Sequence, residues 1–165
     1  MNVLTSRSAR VALAAVIQFG LVAFAVAAPL SARLTGEEYL LEVAPVDPID
    51  PFRGAYVALG YPGLPNGEEL GGRDTRSSEV VYVPLVRSGE LVVGRGPVER
   101  PPASGPFLRC KDEHWRLRCG IESWFLPQDK ALAMERAVTR GNAVARVKID
   151  SRGNAALIYV AVRDR

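Results

Sequence analysis

The chain has 165 residues, which is room for one domain of ordinary size. Its 48% hydrophobic residues, 12 Pro, 15 Gly and 2 Cys exclude a disordered chain, a collagen-like repeat and a disulfide-dense miniprotein. Two cysteines and one histidine exclude a four-thiolate zinc site and leave little for a metal cluster or a catalytic base. We therefore predict no metal and no cofactor.

The charges of the chain are nearly balanced outside its N-terminus. The formal net charge is +3, from 21 Lys and Arg against 18 Asp and Glu. Arg7 and Arg10 precede the first apolar run, and without them 19 positive and 18 negative charges remain, a net of +1. The remaining charges are mixed in sign and spread along the chain, so they predict a solvated surface and no nucleic-acid partner. The alternative is a membrane-apposed patch near Arg33, which no run of basic residues in the sequence supports.

An uncharged run of 22 residues lies between Arg10 and Arg33. A helix of about 20 apolar residues spans the ~30 Å hydrocarbon core of a bilayer, so residues 11–32 are predicted to be a transmembrane anchor in contact with lipid. Because basic residues precede the run, the positive-inside rule places residues 1–10 in the cytoplasm. Residues 33–165 are then an extracytoplasmic domain on the periplasmic or extracellular side of the cytoplasmic membrane.

A cleaved signal peptide is the competing interpretation of the same run. Ala25-Val26-Ala27 is a passable cleavage pattern after a basic start and an apolar segment. The apolar stretch, however, reaches Leu30 and exceeds the usual length of about 7–15 residues for the apolar part of a signal peptide. We favour the uncleaved anchor. Both interpretations export the domain, whereas a buried soluble helix, the third alternative, does not.

Short strands separated by turn signals follow the anchor. Alternation of apolar and polar residues predicts strands over 37–43, 55–61, 80–86, 91–93, 107–111, 114–118, 120–126, 143–149 and 155–162. Residues 87–90 are predicted to form a hairpin turn of four residues, and 150–154 a turn with positive φ at Gly153. Only 129–140 is predicted to be helical. The predicted fold class is mainly β, a small antiparallel barrel or sandwich with one short helix in its C-terminal half, preceded by the transmembrane helix.

The segment 46–61 reads VDPIDPFRGAYVALGY. It resembles the GDYXXLXY family, membrane-anchored bacterial proteins of similar size in which a PxDPRDxFRGDYVxLxY stretch follows the anchor. The matching positions are Asp47, Pro48, Asp50, Phe52, Arg53, Gly54, Tyr56, Leu59 and Tyr61. Ala55 replaces the acidic residue of the motif, so no role of that carboxylate is carried over to this chain.

The C-terminal half is also similar to this family. The matching positions are Gly120, Ile121, Glu122, Trp124, Phe125, Leu126, Pro127, Gly153, Asn154 and Ala155. The resemblance therefore covers most of residues 37–162. It implies a bacterial envelope protein with a membrane anchor, and it implies no activity.

The motif has a structural interpretation and a binding interpretation. The guanidinium of Arg53 is within sequence reach of Asp47 and Asp50, and a bidentate pair would fasten the proline-rich segment to the next strand. The alternative is a surface that faces a ligand or a partner. Tyr56 and Tyr61 are an odd number of positions apart, so one is expected to fill the core while the other presents its hydroxyl.

No catalytic constellation is visible in the sequence. Asp47 and Asp50 could act as paired carboxylates of an envelope hydrolase, but aspartates in such turns commonly cap their own backbone. His114 has no second histidine or nearby nucleophilic cysteine, and residues 111–114 are predicted to be a solvated polar turn. We therefore predict a non-catalytic binding module for a membrane or envelope protein partner, with the hydrolase as the alternative.

Cys110 and Cys119 are predicted to form a disulfide. Both follow the export signal and so meet an oxidising compartment. If residues 111–118 fold back as a hairpin, the two cysteines lie nearly opposite each other, at a Cβ separation of about 4.5–5.5 Å that needs only a small adjustment. The alternative is two independent thiols, one buried and one exposed.

Overall fold

The computed structural model describes residues 7–45, 56–65, 80–113, 116–125 and 143–162. In these residues one long helix precedes a series of strands. The elements are α1 (Arg7–Thr35), β1 (Glu37–Pro45), β2 (Tyr56–Gly60), β3 (Val80–Ser88), β4 (Leu91–Gly94), β5 (Phe107–Glu113), β6 (Arg116–Arg118), β7 (Ser123–Phe125), β8 (Ala143–Ile149) and β9 (Ala155–Val162). The helix predicted over 129–140 lies outside the described residues.

The strands form two antiparallel sheets. One has the order β7-β2-β1-β8-β9, and the other has the order β4-β3-β5-β6. β1 is central in the first sheet, where it pairs with β2 on one side and β8 on the other. The predicted fold class, mainly β and antiparallel after an apolar N-terminal helix, is confirmed.

The core draws its apolar side chains from both sheets. Alternation along the strands points every second residue inward, as in β8, where buried and half-buried positions alternate through all seven residues. The largest fully buried side chains are Leu41, Leu108, Ile121, Val43, Val83, Val147 and Cys110. Full burial of one such aliphatic side chain contributes roughly 1.5–3 kcal/mol, so this shared core holds the two sheets together.

The turn between β3 and β4 is shorter than predicted. The ladder continues to the pair Ser88 and Leu91, so only Gly89 and Glu90 remain in the turn. The backbone of Gly89 has φ +65°, which a two-residue hairpin turn of the primed type requires. The prediction of a four-residue turn over 87–90 was therefore wrong.

The predicted polar turn at residues 111–114 was wrong for its first three residues. β5 continues to Glu113, and its ladder with β6 pairs Lys111 with Arg118 and Glu113 with Arg116. Asp112 is buried, because the alternation that turns Cys110 inward turns Asp112 inward as well. His114 lies outside the described residues.

The strand predicted over 120–126 begins later, at Ser123. Gly120 has φ +83°, a left-handed conformation that a strand does not contain. Residues 120–122 therefore form a bend between β6 and β7.

The helix α1 is apolar and lies outside the core. Of its 29 residues only Ala32 is buried, and the helix is long and apolar enough to cross a membrane. At about 1.5 Å per residue it is roughly 43 Å long. Pro29 lies inside it, in its last turns, which membrane-spanning helices tolerate better than soluble ones.

Candidate functional site

The apolar helix α1 joins the β-domain without a linker. α1 ends at Thr35 and β1 begins at Glu37, so Gly36 is the entire connection. The amide of Gly36 donates to the carbonyl oxygen of Ala32 at 2.9 Å. A Cβ on Gly36 would collide with that oxygen and would lie 2.8 Å from the backbone nitrogen of Ile149. Only glycine permits so close an approach of helix end and sheet.

A buried carboxylate fastens the end of α1 to the turn between β8 and β9, residues 150–154, here called the β8–β9 turn. The Asp150 side chain is 2% exposed. Its Oδ2 accepts hydrogen bonds from the Ser31 hydroxyl at 2.7 Å and from Asn154 Nδ2 at 2.9 Å. Its Oδ1 accepts from the backbone amides of Arg152 at 2.9 Å and Asn154 at 3.0 Å.

These hydrogen bonds keep Asp150 ionised. Burial alone raises the pKa of a carboxyl, but the donors from Ser31, Asn154 and Arg152 together outweigh it, so the pKa of Asp150 is lowered. The carboxylate thus has four donors directed at its two oxygens. A charged acceptor with this many donors is a strong fastening point.

Basic side chains surround this fastening point. The Arg152 guanidinium donates to the Ser31 hydroxyl at 2.8 Å and lies 3.6 Å from Asp150 Oδ2. Lys148 donates to the Arg33 carbonyl at 3.2 Å, and Arg33 donates to the Leu157 carbonyl at 3.4 Å. Exposed contacts of this kind contribute little singly, so the Asp150 network and the Gly36 approach dominate the junction.

The β8–β9 turn also contacts the second sheet. Gly153 is buried with φ +79°, as its predicted positive φ required, and its carbonyl accepts from the amide of Arg109 at 2.8 Å. A Cβ at Gly153 would lie 2.6 Å from Phe107 Cε2. This turn therefore connects the anchor helix, the first sheet and the second sheet.

Four of the family-motif residues meet at a second place, the motif corner, formed by Leu59, Tyr61, Gly120 and Glu122. The amide of Leu59 donates to the Glu122 carbonyl at 2.9 Å. The Glu122 carboxylate accepts from the backbone amides of Cys119 and Gly120. The Tyr61 hydroxyl donates to the Ile121 carbonyl at 2.7 Å. Burial, and to a lesser degree the charge of Glu122, raises the pKa of Tyr61, so this donor stays protonated.

The motif corner has a structural role in these contacts. Tyr61 packs against the core, and its hydroxyl donates to a backbone carbonyl. Core packing and a hydroxyl contact, which were predicted for two different tyrosines, are therefore both made by Tyr61. The backbone of Tyr56 pairs with Phe125. The matching positions that lie outside the described residues are Asp47, Pro48, Asp50, Phe52, Arg53, Gly54, Leu126 and Pro127. The predicted pairing of Arg53 with an aspartate therefore stays a prediction.

Removal of the Tyr61 hydroxyl measures how much the motif corner contributes to the stability of the domain. We expect Tyr61→Phe to lower the free energy of unfolding by about 1–2 kcal/mol, because the Ile121 carbonyl loses its donor while the ring keeps its packing. Denaturant unfolding of the purified chain measures the difference. Tyr159→Phe is the matched control, since that side chain is 37% exposed. Equal effects of the two substitutions would contradict the structural role of Tyr61.

The predicted disulfide is present. Cys110 and Cys119 are bonded, with their Cα atoms 4.1 Å apart, and both are buried. The neighbouring pair Lys111 and Arg118 is in register, so the hairpin itself brings the two cysteines together, as the sequence predicted.

Removal of this disulfide should destabilise the domain moderately. The bond closes a loop with a sequence separation of 9, and loop closure of that length predicts a loss of about 2–3 kcal/mol for the Cys110→Ala/Cys119→Ala variant. Denaturant unfolding with and without reductant measures it. Peptide mapping under non-reducing conditions is the check on the native protein, and free thiols at both positions would contradict the bond.

One feature of this region was missed in the sequence. Arg109, Lys111 and Arg118 are exposed and lie on one face of the β5–β6 hairpin, a grouping that the distribution of charge along the sequence does not indicate. They line a groove of about 440 Å³ whose other wall includes Ala28 and Pro29 of the anchor helix. The sequence contained one signal for this basic face: a Cys110–Cys119 pair places Lys111 opposite Arg118 in the hairpin.

No group of three or more His, Cys, Asp or Glu side chains in the described part of the chain could hold a metal ion. A family model described as GDYXXLXY protein matches residues 18–160, most of the chain. The comparisons with curated proteins and with solved structures give no match. The matched range contains both the junction and the motif corner.

Proposed function

We propose that this chain, which belongs to the GDYXXLXY family, is a non-catalytic module that presents its β-domain to a protein partner in the bacterial membrane or envelope. The observation that supports this most directly is the one-residue connection at Gly36. A domain that acts on a freely diffusing substrate does not require a fixed orientation. A fixed orientation is of use to a surface that must meet a partner which is itself held in or near the membrane.

The proposed topology has the N-terminus in the cytoplasm and residues 33–165 outside it. Arg7 and Arg10 before the apolar run support this orientation, and so does the disulfide, since such bonds persist in oxidising compartments. α1 continues unbroken past Ala27 and its end packs on the β-domain, which supports an uncleaved anchor. A reporter fused after Arg165 should be active only outside the cytoplasm. An intact mass that lacks the first 27 residues would contradict the anchor.

The importance of orientation can be tested by separating anchor and domain. A flexible Gly/Ser segment of about ten residues inserted between Thr35 and Gly36, combined with Ser31→Ala to remove the hydrogen bond from α1 to Asp150, leaves the domain anchored but free to reorient. We expect crosslinking to a stoichiometric partner in native membranes to be lost, while folding is kept. The same segment inserted in the exposed loop at Gly105 is the control. Undiminished crosslinking of the first variant would contradict the proposal.

The hydrolase alternative depends on Asp47 and Asp50, which lie outside the described residues. It is therefore tested by substitution of these two aspartates. Under our proposal, Asp47→Asn and Asp50→Asn keep partner crosslinking unless the melting temperature falls. If either substitution abolished the cellular phenotype with unchanged melting temperature and unchanged crosslinking, the hydrolase would replace the binding module.

A further inference from the structure

The outer face of the β5–β6 hairpin carries uncompensated positive charge. Lys111 and Arg118 are directly opposite each other in the ladder, and like charges in that position repel. Glu113 lies 3.5 Å from Arg118 and compensates one of them. Within the described ranges, no carboxylate lies in ion-pair distance of Arg109 or Lys111. Among the described residues of this face, Glu113 is thus the single carboxylate against three cations, and Arg109 and Lys111 have no ion-pair partner.

The wall opposite this face belongs to the anchor. Ala28 and Pro29, from the apolar end of α1, close the groove on that side, and the small residues Gly120 and Ala155 also line it. The groove of about 440 Å³ is thus amphipathic. One wall is continuous with the lipid-facing surface of the helix, and the other is cationic.

The position of the groove relative to a bilayer follows from the length of the helix. The 22 uncharged residues 11–32 extend about 33 Å, close to the ~30 Å hydrocarbon core. Pro29 precedes Arg33 by roughly one helical turn, so it lies at the boundary between hydrocarbon and headgroups. Because the junction at Gly36 and Asp150 holds the β-domain on the helix end, a membrane-spanning α1 would place the hairpin at headgroup depth.

We propose that this groove binds the phosphate headgroup of an acidic phospholipid, from the leaflet that the C-terminal end of α1 reaches. Arg109 and Arg118 supply planar guanidinium groups that match phosphate oxygens, and Lys111 supplies a compact third charge. The acyl chains follow the α1 surface at Ala28 and Pro29. The lipid compensates the repulsion between Lys111 and Arg118, and it holds the hairpin against the membrane. This inference depends on α1 being the anchor and is independent of any protein partner.

Native mass spectrometry of the full chain in detergent tests the proposal. Phosphatidylglycerol and phosphatidylcholine are added at equal concentrations, and the bound lipid is counted. We expect phosphatidylglycerol to be retained at least about tenfold more strongly. The variant Arg109→Gln/Lys111→Gln/Arg118→Gln should lose this preference. The control variant Arg87→Gln/Arg95→Gln/Arg100→Gln removes the same charge from exposed positions outside the groove and should keep it.

Three outcomes would overturn the proposal. One is an unchanged preference in the groove variant, and another is an equal loss in the control variant, which would indicate net charge alone. The third is displacement of all phosphatidylglycerol by millimolar inorganic phosphate, which would assign the groove to a free anion. The single variant Lys111→Gln is the control in case the triple variant misfolds, because it changes one exposed side chain and keeps the Arg118–Glu113 pair. It should still weaken phosphatidylglycerol binding by about threefold to tenfold, with an unchanged melting temperature.

Discussion

Gly153→Ala is expected to lower the free energy of unfolding by about 3–5 kcal/mol, a large part of the roughly 5–15 kcal/mol that stabilises an ordinary domain. Two costs add at this position. The φ of +79° disfavours any residue with a Cβ by roughly 1–2 kcal/mol. The new Cβ would also lie 2.6 Å from Phe107 Cε2 and 3.0 Å from the backbone nitrogen of Arg109. The ring cannot move aside freely, because Phe107 is buried and packs edge-on against Tyr82.

A matched glycine separates these two costs. Gly105 has φ +83°, and a Cβ there would meet no atom within 4 Å. Gly105→Ala should therefore cost only the conformational part, about 1–2 kcal/mol. Denaturant unfolding of both variants in the same detergent measures the difference. Equal losses would mean that the β8–β9 turn does not pack against the second sheet as described here.

The strands were predictable because each is decided by nearby residues. Short apolar runs on both sides of the turn signal at 150–154 place β8 and β9 at 143–149 and 155–162, the bounds that the structure has. The turn of Asp150 to Asn154 was predictable for the same reason, since Gly153 supplies its positive φ within the segment itself. The prediction of the 111–114 turn was wrong because pairing with another strand determines the local structure there. Asp112 reads as part of a polar turn until β6 pairs with β5 and turns it inward.

The junction could not be predicted, because its partners are far apart in the sequence. Ser31 and Asp150 are separated by 119 positions, and nothing in either neighbourhood indicates the other. Ser31 alone reads as a tolerated hydroxyl near the end of an apolar run, and Asp150 alone reads as a turn residue that caps its own backbone. The basic face of the β5–β6 hairpin is intermediate. The predicted Cys110–Cys119 pair fixes the register of the hairpin, and that register places the basic residues on one face. The approach of Pro29 to this face could not be predicted in the same way.

The motif corner and the junction hold different parts of the molecule together. The motif corner consists of backbone hydrogen bonds and core contacts, so its residues define the fold. The junction fixes the β-domain relative to α1, so its residues define the orientation of the domain on the end of the helix. A substitution at the junction can therefore alter the behaviour of the anchored protein while both sheets stay folded.

The carboxylate of Asp150 makes the stability of the junction dependent on acid pH. Its folded-state pKa is lowered from the usual value, which is near 3.9 in an unfolded chain. The stabilisation is therefore fully present above about pH 5. It is lost as the pH falls below about 4 towards the folded-state pKa, because the unfolded chain takes up the proton first. Protonation adds an unneeded donor and weakens the contact with Ser31.

We expect two results from Asp150→Asn. At neutral pH the variant should be less stable by about 2–3 kcal/mol, since an amide nitrogen replaces one of the acceptor oxygens in a buried site. Its stability should also lose the acid-dependent component that the native chain shows below about pH 5. Glu38→Gln is the matched control, because Glu38 pairs with Arg146 at 3.0 Å on the exposed surface and should contribute less than about 1 kcal/mol.

Limited proteolysis separates opening of the junction from unfolding of the domain. Arg33 is exposed, but its backbone belongs to the last turns of α1, which the Asp150 network holds on the sheet. Loss of that network frees the helix end, so trypsin should cut after Arg33 faster in Asp150→Asn than in the native chain or in Glu38→Gln. The β-sheet signal in circular dichroism should stay unchanged at neutral pH. Equal cleavage rates in all three proteins would contradict the role of Asp150 in coupling the anchor to the domain.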